Sequence, residues 1–91
     1  SVSNFLKMTE DAEMVLFLKE IADDKIKGSM RTTGDVIDCS QIAVALGGGG
    51  HKKAAGFTVA GRIVENAFTG DIKIIPETPE SQLLNEMLKI K

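Results

Sequence analysis

The chain predicts a single small α/β domain over residues 1–91, a mixed sheet of four or five strands flanked by helices. Three patterns carry that expectation. An apolar run at Met14–Leu18 is bounded by charge, as in a buried strand. Polar and apolar residues alternate strictly from Lys25 to Thr33, as in a strand with one wet face. Apolar residues at helical spacing follow capping residues at Asp38 and Thr78. At 91 residues, a single core burying ~60 to 65% of the unfolded surface is what the length allows.

Taken in order, Val2, Phe5, Leu6 and Met8 have spacings that suit a short helix, and its abrupt beginning suggests a segment excised from a longer protein. A strand from Ala12 to Glu20 follows, then a turn at Asp23-Asp24. Lys25 to Thr33 returns as its antiparallel partner, with Lys25, Lys27, Ser29, Arg31 and Thr33 on one face and Ile26, Gly28, Met30 and Thr32 on the other. Asp38 with Gln41 three residues on resembles a capping box, Ile42, Ala43 and Leu46 form the helix stripe, and Gly47 ends it. A short helix is expected from His51 through Ala55, closed by Gly56, and a strand at Phe57–Ala60. In 61–75, Ile63, Val64, Ala67 and Phe68 fit a helical face, whereas Ile72, Ile74 and Ile75 read as strand. Thr78 as N-cap, Pro79 at the first helical position and Leu83, Leu84, Met87 and Leu88 at helical spacing make a last helix.

Composition narrows the function classes. The chain is 43% hydrophobic and 26% charged, ordinary for a globular protein. No apolar run approaches a membrane span and no signal-peptide pattern opens the chain, so the expected location is cytoplasmic, without membrane contact. Cys39 is alone, which excludes an intramolecular disulfide, and it reads as a small packed residue. With no Trp or Tyr and four Phe, little is available for an extended stacking surface. Net charge is −2, yet residues 25–62 hold six basic and two acidic residues while the remainder holds five basic and eleven acidic. Positive charge is concentrated around one loop, as a local phosphate site requires.

That loop is Gly47-Gly48-Gly49-Gly50-His51-Lys52-Lys53-Ala54-Ala55-Gly56. One glycine suffices to end a helix, so four in succession suggest close approach of a ligand to the main chain. Free N–H groups at a turn and a helix start, beside one imidazole and two ammonium groups, describe an anion site, with phosphate as the expected ligand. Ser29 and Arg31 on the wet face of their strand offer a hydroxyl and a bidentate fork for the same kind of ligand. A flexible hinge is the rival account of a bare glycine run. The pieces do not assemble a catalytic metal centre: there is one His, and the Glu10-Asp11 and Asp23-Asp24 pairs fall in expected turns.

The segment Gly48 to Gly56 resembles the signature of the C-terminal DHH-associated domain of DHH-family phosphoesterases, and Ser29-Met30-Arg31-Thr32 resembles that family's strand-ending pattern. The family includes nanoRNases, phosphoadenosine-phosphate phosphatases, cyclic-dinucleotide phosphodiesterases and single-strand exonucleases. The related domain of alanyl-tRNA synthetases shares the glycine run but continues differently. The resemblance implies a substrate-binding domain whose manganese ions and catalytic residues belong to an N-terminal DHH domain of the same chain. No catalytic residue or metal ligand is then expected within these 91 residues, and the fragment alone is expected to be inactive. Carried over, Gly48, Gly49, Gly50 and His51 contact the phosphate or base of a short RNA or phosphorylated nucleotide, and Arg31 with Ser29 holds a substrate phosphate. A non-enzymatic nucleic-acid-binding module is the alternative from another class, and a homodimer is left open.

Overall fold

The computed structural model describes residues 4–8 and 13–89. The described elements are β1 (Asn4–Met8), β2 (Met14–Glu20), β3 (Lys25–Thr32), α1 (Cys39–Ala45), β4 (Gly49–His51), β5 (Ala54–Glu65), β6 (Ile72–Pro76) and α2 (Pro79–Met87). The sheet runs β1-β2-β3-β5-β4, with β6 paired to the far part of β5. Helices and strands share one small domain and five strands form the path of the sheet, as expected, but each pairing among the described residues is antiparallel, where the sequence suggested a mixed sheet.

The β2–β3 hairpin turns at Asp23 and Asp24, whose φ values of 48° and 60° lie in the left-handed region that Asp tolerates better than most residues. Lys25 N–H donates to the Ala22 carbonyl at 3.0 Å to close the turn. Alternation along β3 holds throughout, with Ile26, Gly28, Met30 and Thr32 buried and Lys25, Lys27 and Arg31 exposed. Thr32 is buried without penalty because its hydroxyl donates to the Glu13 carbonyl and accepts from Gly34 N–H.

Both helices pack on the face carrying Leu16, Leu18, Ile26, Met30, Phe57 and Val59, adding Cys39, Ala43, Leu46 and Leu84 to a single core. Asp38 caps α1 by accepting from Ser40 N–H at 2.9 Å and from Ser40 Oγ, with the Gln41 N–H also favouring its carboxylate. The Ser40 side-chain bond, chiefly, holds the Asp38 carboxyl below its ordinary pKa. Burial raises that of Cys39, in keeping with a packed, unreactive thiol. Thr78 and Ser81 form a reciprocal capping box with Pro79 in the first turn of α2, and Asn85 Oδ1 accepts from Ile74 N–H at 2.9 Å, fastening α2 to β6.

Three local expectations are overturned. The opening segment is a strand, β1, paired with β2 from Asn4↔Lys19 to Met8↔Val15, and Val2 lies outside the described residues. Val2 to Met8 is too short to offset helix nucleation, whereas the free edge of β2 supplies ladder bonds at once. Ile63 and Val64 continue β5 instead of starting a helix. Ala67 and Phe68 fall in the turn that follows, where Asn66 Oδ1 accepts from Phe68 and Thr69 N–H. Most consequentially, His51 to Ala55 is not a helix. It is the end of β4, a two-residue turn at Lys52-Lys53 and the start of β5.

No described helix is long and apolar enough to cross a membrane.

Candidate phosphate-binding face

The hairpin decides the geometry of the site. A helix over five residues would close about one hydrogen-bonded turn, which does not repay nucleation. As β4 and β5, the same residues pair Gly49↔Gly56, Gly50↔Ala55 and His51↔Ala54. The turn is pinned from two sides, since the Lys52 carbonyl accepts from Cys39 N–H at 2.7 Å and that of Lys53 from Thr32 N–H at 3.0 Å. A helix N-terminus is therefore not what concentrates positive potential here; side chains and a glycine-bared sheet edge take its place.

The four glycines have different reasons. Gly47 has φ +85° and follows the end of α1, as a helix-terminating glycine does. A Cβ on Gly48 would lie 2.1 Å from the Gly56 carbonyl oxygen and 2.7 Å from Phe57 Cα, so this glycine lets two backbones touch. Gly50 combines φ +147° with a Cβ position 2.5 Å from Ala55 Cα. A side chain on Gly49, by contrast, would meet nothing within 4 Å. Backbone conformation explains Gly47, close packing explains Gly48 and Gly50, and Gly49 is left to be explained by what approaches from outside.

Register joins the two sequence patterns. The pairs Arg31↔Ala54 and Ala54↔His51 put Arg31, Ala54 and His51 in one row on one face. Ser29↔Gly56 and Gly56↔Gly49 form the neighbouring row on that face. Arg31 and His51 stand two strand spacings apart, ~9.6 Å between backbones, with the small Ala54 between them. The long Arg31 side chain can cross that gap over Ala54. Ser29, Arg31, Gly49 and His51 are thus gathered on a single open face, while Gly48 and Gly50 shape the backbone behind it.

That face is cationic. The outward positions of β2, β3 and β4, and of β5 as far as Ala60, carry Lys19, Lys25, Lys27 and Arg31 and no carboxylate. Among the described residues, Lys19, Lys27 and Arg31 make no salt bridge; those present are Lys53 with Asp35, Arg62 with Asp24 and Lys89 with Glu86. Lys53 is paired with Asp35 at 3.4 Å, so the unpaired charge around the site is that of Lys52 on the turn together with Lys19, Lys27 and Arg31 on β2 and β3. A concavity of about 260 Å³ beside the Asp23-Asp24 turn has Glu20, Asp23 and Asp24 against Lys25 and Arg62 and suits phosphate poorly.

Sequence reasoning passed over Phe17. It sits inside the apolar Met14–Leu18 run, yet strand parity turns it to the open face, where it is 41% exposed. Its direct partner is Ser29. The signal that could have found it was the β3 alternation, extended across the hairpin to β2.

Among the described residues, no three of His, Cys, Asp and Glu are grouped so as to hold a metal ion. The residues on the face are donors and cations, suited to gripping an anion rather than coordinating manganese.

Comparison with known proteins agrees with this reading of the motifs. The family model described as the DHHA1 domain matches residues 1–75. Among characterised proteins, the chain is similar to oligoribonuclease NrnB of Bacillus subtilis (strain 168), 40% identical over 53 residues. That match covers 58% of this chain and 13% of the Bacillus protein, so this chain corresponds to a small part of its relative. No solved structure matches significantly. With the family model spanning most of the sequence and both motifs in place on one sheet face, the chain belongs to the DHHA1 domain family.

Proposed function

We propose that this domain is the substrate-binding part of a DHH-family phosphoesterase that hydrolyses short oligoribonucleotides or small phosphorylated nucleotides. The observation that carries the proposal is the convergence of Ser29, Arg31, Gly49 and His51 on one carboxylate-free face, with Gly49 bare for no internal reason. Similarity to an oligoribonuclease supports the substrate class. Arg31 and Ser29 hold a substrate phosphate, the bared strand at Gly49 lets the ligand close on the main chain, and His51 donates to phosphate or base.

Hydrolysis requires an activated water and neutralisation of the developing oxyanion, which manganese ions on an N-terminal DHH domain of the same protein would supply. The present residues bind and orient. Held between two domains, a substrate loses the freedom that otherwise raises the barrier, a contribution of several kcal/mol without bond chemistry on this side.

Titration of the isotope-labelled chain with a 5′-phosphorylated ribodinucleotide tests the binding role. Localised shifts at the amides of Gly48 to His51 and at Arg31 are expected; a folded spectrum that does not respond would refute it. The division of labour has its own check. Turnover of the dinucleotide by this chain with added manganese, in preparations cleared of nuclease, would overturn it.

A further inference from the structure

The row that contains Ser29 and Gly49 extends further than the phosphate corner. Phe17↔Ser29, Ser29↔Gly56 and Gly56↔Gly49 align four strands, so one line across the sheet reads aromatic ring, hydroxyl, bare backbone, bare backbone. At ~4.8 Å per strand this line is ~14 Å long. Lys19 and Lys27 stand on the row to one side and Arg31 and His51 on the row to the other. With glycine at its far end and cations along both flanks, the line is a shallow trough. At its near end a concavity of about 310 Å³ is lined by Phe17, Lys19, Ile21, Lys27 and Ser29, at the lower end of the range of small-ligand sites.

Phe17 and Ile21 are 41% and 40% exposed, and both border this concavity. An exposed ring beside Lys19 and Lys27, neither of them in a salt bridge, is a poor surface for a hydrocarbon and a good one for a base carrying phosphate. Stacking uses the π-face, and the ammonium groups neutralise the backbone. The trough covers more than one nucleotide at the 3.4 Å per nucleotide of a stacked strand.

We infer that Phe17 is a base-stacking platform, and that the trough from Phe17 to Gly49 seats a single-stranded oligonucleotide of at least two residues lying across the strands, one base on Phe17 and a phosphate at the glycine corner. This inference rests on the phosphate-binding reading of Arg31, Gly49 and His51. It makes the ligand a short strand rather than a lone phosphorylated nucleoside. One ring provides one stacking position, which suits a short strand and not a long tract.

The test uses two probes, a 5′-phosphorylated ribodinucleotide and ribose 5-phosphate, titrated into the labelled chain and into Phe17→Leu and Phe17→Trp. In the unaltered chain the dinucleotide should move the amides of Phe17, Ser29 and Gly49, and ribose 5-phosphate those near Gly49 and Arg31 only. Phe17→Leu should weaken the dinucleotide ~10-fold or more while leaving ribose 5-phosphate unchanged. Phe17→Trp, with its larger π-face, should tighten the dinucleotide, a gain that a folding defect cannot produce. Equal dinucleotide affinity in all three chains, with the Gly49 shifts intact, would sink the stacking platform and leave the phosphate reading standing. Dinucleotide shifts confined to Phe17, with Gly49 and Arg31 silent to both probes, would keep stacking and remove the phosphate corner and its link to the trough. A folded chain that binds neither probe would overturn both.

Discussion

The two faces of the sheet use the same strands for opposite purposes. On the helix-covered face, Leu18, Ile26, Leu46 and Leu84 are completely buried, and glycines exist to let backbones and rings meet: a Cβ on Gly28 would sit 2.0 Å from the Phe57 ring. On the open face, the same strands present unpaired cations, an exposed ring and a glycine with empty space above it. The contrast teaches that a glycine run is not one feature. Gly48 and Gly50 answer to the first purpose, Gly47 to the left-handed end of α1, and Gly49 to the second purpose.

Substitutions should separate the faces cleanly, and the largest effects belong to the covered one. Leu84→Ala removes a fully buried side chain and should cost about 2 to 5 kcal/mol in denaturant unfolding. Gly48→Ala forces a Cβ into backbone atoms and should cost at least about 3 kcal/mol, more than ordinary overpacking, because a carbonyl cannot rotate aside as a side chain can. For a domain whose total stability is of order 5 to 15 kcal/mol, either change threatens folding.

Arg31→Ala should do the reverse. Its unfolding free energy should stay within about 0.5 kcal/mol of the parent, as for an exposed residue without a partner. Dinucleotide affinity should fall ~10- to 100-fold, the worth of a charged hydrogen bond. Calorimetry on the same samples reads both quantities. Unchanged affinity would return Arg31 to the status of a solvated surface residue.

Gly49→Ala and Gly50→Ala sharpen the comparison within the loop itself. Gly49→Ala should leave stability within about 0.5 kcal/mol and weaken the dinucleotide several-fold. Gly50→Ala should lose about 1 to 3 kcal/mol of stability before any ligand is added, since its backbone conformation disfavours a side chain and Ala55 occupies the space. If both variants are equally stable, the division of the glycines is wrong.

The smallest effect is a pH dependence on the covered side. The Asp38 carboxyl, bonded to Ser40, has a folded pKa below its unfolded value of 3.8. Its contribution is therefore fully present above that value and is lost as pH falls through the lower, folded pKa. Acid unfolding curves should show a limb below about pH 4 that Asp38→Asn flattens. An identical acid limb in both proteins would exclude the cap as its origin.

Strand β3, the two capped helices and the motif residues of the binding face were legible in the chain, because each depends on neighbours no more than four residues away. Alternation in Lys25–Thr32 places Ser29 and Arg31 outward whatever β3 pairs with, and Thr78-Pro79 starts α2 before any packing is considered. The form of His51–Ala55 was not legible. Its composition allows a helical turn, and the choice went to a hairpin because β5, Thr32 and Cys39 offered ladder and turn bonds that an isolated turn of helix lacks. Phe17 was hidden for a related reason: within its apolar run every residue looks buried, and only the pairing with Ser29 shows which parity faces out. The sequence alone thus determined the family, the two motifs and the charge that surrounds them. The tertiary structure decided that the motifs share one sheet face and that an aromatic ring continues their row, because register between distant strands is set by core burial and backbone pairing rather than by local pattern.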